Sequence, residues 1–165
     1  MFLLDTDIVS NTRKAKPHPK LLGWLGTVPP DTLAISAMTV FELEAGISQL
    51  RAGGNAAKAE EISLWLDGLI ASGSLPVLPI DHQVARLYGR MFATPGLKNF
   101  LWSAPESKQP KSGGDLILSA TAIVHGAVIA TNNARDFLAI HLHFPLPGIY
   151  LPFSDEWLIG GPPTT

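Results

Sequence analysis

Four short apolar runs, residues 2–4, 32–36, 77–80 and 127–131, are each followed by a stretch that reads as helix. No other feature constrains the fold as strongly. Strands alternating with helices imply an α/β domain: a mainly parallel central sheet flanked by helices. The segment after the second run repeats Val40, Leu43, Ile47 and Leu50 at helical spacing and stops at Gly53-Gly54-Asn55. A second helix over 56–71 is expected to carry Ile62, Trp65, Leu66, Leu69 and Ile70 inward, giving a helical hairpin at about 39–71. Further helices are expected over 7–12, around 21–25, from Asp81 through Met91, from Asp115 to Gly126, and over 133–139. Residues 149–151 read as an edge strand, so the domain is expected to span 1–151 with a tail over 152–165. Residues 95–114 hold Pro95-Gly96, Pro105, Pro110 and Gly113-Gly114 without clear periodicity, which predicts a loose binding loop containing Trp102.

Composition narrows the chemistry. At 165 residues and 46% hydrophobic the chain has enough apolar material for a core. It contains no cysteine, which excludes disulfides and thiolate metal sites. Lys and Arg number 12 against 14 Asp and Glu, so nucleic-acid binding would need a local patch. Two flanks offer one: Arg13, Lys14, Lys16 and Lys20, then Arg86, Arg90, Lys98, Lys108 and Lys111. Asp5 and Asp7 interrupt the apolar start before a signal-peptide core forms, and no run reaches the roughly 20 residues of a spanning helix. A cytoplasmic protein with no membrane partner is expected.

Acidic and amide residues stand where the apolar runs end. Asp5 follows the first run, Glu42 lies in the next long helix, Asp115 follows two glycines, and Asn133 and Asp136 follow the 127–131 run. Taken singly, most have a capping or dipole explanation. Asp7 suits the N-cap of the first helix, which frees Asp5 for function; Glu42 and Glu44 suit a first helical turn; Asp115, Asn133 and Asp136 suit helix starts. Together they cost energy, because carboxylates gathered beside apolar runs repel and raise one another's pKa. A divalent cation removes both problems. In parallel sheets ligands bind beyond the carboxyl ends of the strands, and both Asp5 and Thr131 fall on that rim.

The set Leu4-Asp5-Thr6-Asp7, Ser36-x-x-Thr39-x-x-Glu42-Leu43-x-x-Gly46-Ile47, Asp115-x-x-x-x-Ala120-x-Ala122 and Ala130-Thr131-Asn132-Asn133-x-x-Asp136-Phe137 resembles PIN-domain proteins, specifically VapC-type toxins. The resemblance implies an endoribonuclease toxin that uses Mg²⁺, with Mn²⁺ able to substitute, and that is held by a VapB-type antitoxin. It implies a homodimer. It further implies that Asp5 and Asp115 bind the metal directly, while Glu42 and Asp136 act through water. Asp7, Thr6, Thr131 and Asn133 are possible additional site residues. Asn133 stands where the family often has Asp, so either Asn133 or Asp136 fills the fourth station. A haloacid-dehalogenase-like phosphatase shares the Asp5-Thr6-Asp7 pattern but needs a lysine after Thr131, and the last lysine here is Lys111. The remaining alternative is a PIN-like module that binds RNA or a partner without cutting it.

Overall fold

The computed structural model describes residues 1–101 and 113–161. In chain order the elements are β1 (Phe2–Leu4), α1 (Thr6–Thr12), α2 (Pro19–Thr27), β2 (Leu33–Ser36), α3 (Ala37–Ala52), α4 (Ala56–Ala71), β3 (Val77–Leu78), α5 (His82–Phe92), α6 (Gly114–His125), β4 (Val128–Ala130), α7 (Ala134–His141), β5 (Ile149–Leu151) and β6 (Glu156–Ile159). The sheet order is β3-β2-β1-β4-β5-β6. All neighbours pair in parallel except β5 and β6. The expected α/β architecture is what the chain adopts.

The inner strands β1, β2 and β4 work because their apolar runs are largely buried on both faces, whereas Val77 and Ile80 of the third run are exposed at the sheet edge. Leu3 packs on one side with Ile129, Val84, Leu116, Phe137 and Ile140, the layer of α5, α6 and α7. Leu4 points the other way, onto Ile8, Val9, Leu21 and Ile35 in the layer of α1 and α2. The α3–α4 hairpin closes over its own cluster of Ile47, Ala59, Ile62 and Leu66. Ile70, expected inward, is exposed instead; its neighbour Leu69 takes the inner position.

The order of strands matters most for function. From β1 the chain moves outward to β2 and β3, then returns to the other side of β1 with β4. The sheet therefore reverses direction between β1 and β4, the place where open parallel sheets leave a crevice at their carboxyl ends. Leu4 pairs with Ala130, and the Asp5 amide donates to the Ala130 carbonyl at 3.0 Å. The next residues on the two strands, Asp5 and Thr131, thus leave the sheet side by side.

Several expectations need correction. Residues 149–151 are not an edge: β5 lies inside the sheet, and 156–159, assigned from sequence to the tail, form the true edge strand β6. Asp155 takes a left-handed conformation (φ 63°) in the intervening turn, and its carboxylate accepts from the Tyr150 hydroxyl at 2.6 Å. The third strand covers only Val77–Leu78, since Pro79 cannot donate to the ladder. Residues 95–100 of the expected loose loop form a 3-10 helix with Leu97 buried beneath it. Residues 102–112 of that loop, with Trp102, Lys108 and Lys111, lie outside the described residues.

Candidate active site

The carboxylate of the first acid is fixed by two hydrogen bonds, one from its own turn and one from the end of β4. Asp5, not Asp7, is the N-cap of α1: its Oδ1 accepts from the Thr6 amide at 2.7 Å. Its Oδ2 accepts from the Thr131 hydroxyl at 2.6 Å, which ties β1 to β4 through side chains as well as backbone. The capping role did not release Asp5 for another task; one carboxylate does both. Asp5 is buried, and its carboxyl is pushed up to about 7. Burial is the largest cause, followed by the negative charge of Asp7; the Thr131 hydrogen bond opposes the rise and Asp115 adds to it. Asp7 stands at the exposed rim in the first turn of α1. Its carboxyl is also raised, first by partial burial against the cleft wall, while backbone amides at Ile8 and Asn132 and the charge of Lys14 oppose the rise.

Glu42 reaches the site from α3. The helix is capped by Ser36, whose hydroxyl accepts from the Met38 amide at 3.1 Å, so α3 begins earlier than the sequence suggested. No acid lies in its first turn, and the dipole explanation offered for Glu42 and Glu44 does not hold. Glu42 instead accepts the Thr6 hydroxyl at 2.5 Å. Thr6 thus gives its amide to one acid and its hydroxyl to another.

Asp115 enters at the start of α6. The capping explanation fails here too: Gly113 is the N-cap, in the left-handed region (φ 69°), with no side-chain cap. A Cβ at Gly113 would lie 3.0 Å from the Tyr88 hydroxyl and 3.2 Å from Leu101, so glycine is required by both conformation and space. Asn133 is at the N-cap of α7 but makes no capping bond. Its Nδ2 donates to Asp136 at 3.0 Å and lies 3.5 Å from Asp115 Oδ2, bridging the two acids. The Asn133 amide donates to the Thr131 hydroxyl oxygen at 2.9 Å. Thr131, wholly buried, therefore receives from one station and donates to another.

A cleft of about 450 Å³ opens over these residues, lined by Asp5, Thr6, Asp7, Ser10, Lys14, Asp115 and Asn133. Glu42 and Asp136 do not line it; they stand behind Thr6 and Asn133. Lys14 was expected from sequence only as part of a basic flank, and Ser10 was missed, although it follows Asp7 by three residues on the same face of α1. Among the described residues no three acidic or imidazole groups form a ready-made metal cage. The donors present are mainly oxygens, with three acids, Asp5, Asp7 and Asp115, sharing an open cleft. That fits a hard cation such as Mg²⁺, which is bound through one or two carboxylates and keeps several waters, and does not fit an ion that requires a complete protein shell.

Residues 2–141 match the family model of the PIN domain. VapC ribonuclease Y4jK of Sinorhizobium fredii is 30% identical over 143 residues, covering 86% of this chain and 94% of that protein. The crystal structure of FitAcB from Neisseria gonorrhoeae superposes with a TM-score of 0.62 at 26% identity, over 84% of this chain and 92% of its own. A DNA-bound VapBC structure from Salmonella typhimurium superposes with a TM-score of 0.55 at 27% identity, over 83% and 89% of the two chains.

Proposed function

The chain belongs to the PIN domain family, among its VapC-type toxins, and from that premise we propose that it is a divalent-cation-dependent endoribonuclease whose cleft hydrolyses RNA phosphodiesters. One observation carries the reading. The end of β1 and the start of α6 bring together a buried carboxyl pushed up to about 7 and a second acid, Asp115, that helps to push it. Perturbed acids held in an open cleft are a mark of functional sites, because nothing in folding alone rewards them.

In this reading Asp5 and Asp115 hold the cation, and Glu42 and Asp136 act from behind them through water. Held there, a divalent cation would supply Lewis acidity to a water and to the phosphodiester. The chain's own side chains do the positioning. The Thr131 hydroxyl and the Thr6 amide fix both oxygens of Asp5, which holds its carboxylate in one orientation. The Thr6 hydroxyl holds Glu42, and the Asn133 amide holds Asp136 while approaching Asp115. Lys14, on the cleft wall, is placed to meet a phosphate of the incoming strand.

The proposal also includes a VapB-type antitoxin as partner and a homodimer as the assembled form. Co-purification with the product of a neighbouring reading frame, and sedimentation of the toxin alone, test those two parts. The central test is cleavage of a structured RNA pool with Mg²⁺, with EDTA, and by an Asp115→Asn variant prepared identically. Cleavage that requires metal and disappears in the variant is the expected result. Cleavage that survives the substitution overturns the site assignment. Mn²⁺ binding without cleavage of any RNA favours the second reading, a binding module, to which the amide at Asn133 lends its one specific observation.

A further inference from the structure

The two basic flanks of the sequence have different fates in the fold. In the first, Arg13 lies 3.7 Å from Glu61 and over the Trp65 ring, Lys14 lines the acidic cleft, and Lys20 donates to the Ser154 carbonyl. Most of its charge is committed. In the second flank, Lys108 and Lys111 lie outside the described residues. Arg86 and Arg90 are exposed, and the ion pairs among the described residues use Arg13, Arg51 and Lys58 instead.

His82, Arg86 and Arg90 follow one another at four-residue spacing, so they form a stripe on one face of α5. The stripe borders a groove of about 610 Å³ against α6, whose floor is Leu87, Ile123 and Val124. Among the described residues no carboxylate lines this groove. The nearest acid on α5, Asp81, has one oxygen engaged by the Gln83 and Val84 amides at 2.9 Å. Tyr88 stands against Gly113 while Asp81 lies within electrostatic reach of His125, so α5 runs antiparallel to α6. The groove therefore leads from the end of α6 back along the helix that starts with Asp115. Val124 and Asp115 are about 14 Å apart along that helix, at 1.5 Å per residue.

We propose that the α5–α6 groove is a second binding site on this chain, an exosite that holds the phosphate backbone of single-stranded RNA through Arg86 and Arg90. The inference rests on the ribonuclease reading above and extends it to substrate outside the cleaved bond. Charge complementarity selects the occupant. Two exposed guanidinium groups at fixed spacing, with no ion pair and no acid in the groove among the described residues, match a repeating anion, and a flexible single strand can follow a helical stripe. An acidic protein segment would meet the same charges, but the apolar floor is narrow and the periodic cations dominate the wall.

The test uses a fluorescein-labelled mixed-sequence 20-nucleotide RNA, with the Asp115→Asn chain in EDTA as the non-cleaving parent. Anisotropy gives Kd from 50 to 200 mM KCl for the parent, for Arg86→Gln/Arg90→Gln in that background, and for Lys14→Gln in that background. Losing two phosphate contacts flattens the slope of log Kd against log salt by about 1.4, so the fourfold rise in salt costs the double variant roughly sevenfold less affinity than it costs the parent. Unchanged melting of the double variant shows that the loss is local. Parallel slopes for parent and double variant, with Lys14→Gln alone weakened, overturn the exosite and leave the ribonuclease reading standing. A double variant that stays RNA-competent but turns from dimer to monomer also overturns it, making the groove a subunit interface. If the otherwise active wild-type chain cuts RNA and the parent binds none, the exosite falls; if the wild type neither binds nor cuts, the ribonuclease reading falls with it.

Discussion

Replacing Asp5 with Asn should make the metal-free protein more stable, and only at neutral or alkaline pH. Asp5 moves from an ordinary 3.8 to about 7 on folding. Between those values the folded chain keeps a proton that the unfolded chain has released. Stability therefore falls as pH rises through that window, and the full cost stands above pH 7. At about 1.4 kcal/mol per unit the cost is about 4.5 kcal/mol, a ceiling because the buried group can draw in water. Asparagine removes the charge and keeps an oxygen for the Thr6 amide. Its amide group then faces the Thr131 hydroxyl, which presently donates to Asp5, and that mismatch costs about 1 kcal/mol.

The expected net gain is about 2–3 kcal/mol at pH 8, or roughly 5–10 °C in Tm for a chain of this size. At pH 4.5 only about 1 kcal/mol of the carboxylate cost remains, so variant and parent should melt together. Thermal scans of both proteins in EDTA at pH 8 and pH 4.5 measure this directly. Saturating Mg²⁺ or Mn²⁺ should then raise the parent's Tm at pH 8 and leave the variant nearly unmoved. A concentration of 100 Kd contributes about 2.7 kcal/mol. An Asp5→Asn protein that is less stable at pH 8 by as much as at pH 4.5 would refute the reasoning, because Asp5 would then be a cap and nothing more.

Three further substitutions probe the supports of the site. Thr131→Val removes the donor that opposes the rise of Asp5, so NMR titration should find that carboxyl higher still, and cation affinity at pH 7 should drop; an unmoved titration would show that Thr131 has no electrostatic role. Glu42→Gln still accepts the Thr6 hydroxyl, so Tm should hold within a few degrees while RNA cleavage falls by about 10–100-fold. Cleavage at the parental rate would remove Glu42 from the site. Gly113→Ala forces a side chain into the left-handed region and against Tyr88, at a cost of about 1–2 kcal/mol before any shift of α6. Its Tm should fall and its cation affinity weaken together, since α6 carries Asp115; loss of neither would mean that the turn relaxes freely.

How far the sequence spoke for the fold depended on how local each signal was. Helix α4 was legible to its boundaries, because the glycine turn before it and its apolar spacing both lie within the segment. The edge strand β6 was not, because Glu156–Ile159 is a strand only through its pairing with β5 across a turn held by Asp155 and Tyr150. The same rule separates the site residues. Asp5 and Thr131 were visible from their places after apolar runs, a feature of their immediate neighbours. That Thr6 joins Asp5 to Glu42, and that Asn133 links Asp136 to Asp115, depends on contacts between α1 and α3 and between α6 and α7, which no local pattern encodes.

The capping explanations failed for a reason that bears on function. Asp115 and Asn133 sit at helix starts, where Asp and Asn are common because they satisfy free amides. Here Gly113 occupies the cap of α6, and the Asn133 side chain caps no amide of α7 but reaches Asp136 and Asp115 instead. Each helix start thus forgoes a stabilising bond of about 1 kcal/mol in order to leave a polar group facing the cleft. Asp5 is the exception that clarifies the rule: it does cap α1, yet through one oxygen only, and the other is held by Thr131 at the cleft. Local stability is given up at the two stations brought in by helices α6 and α7, and is kept at the one fixed by the sheet. A chain selected only to fold would have no cause to make that distinction, whereas one that must hold acids open to a cation and a phosphodiester would.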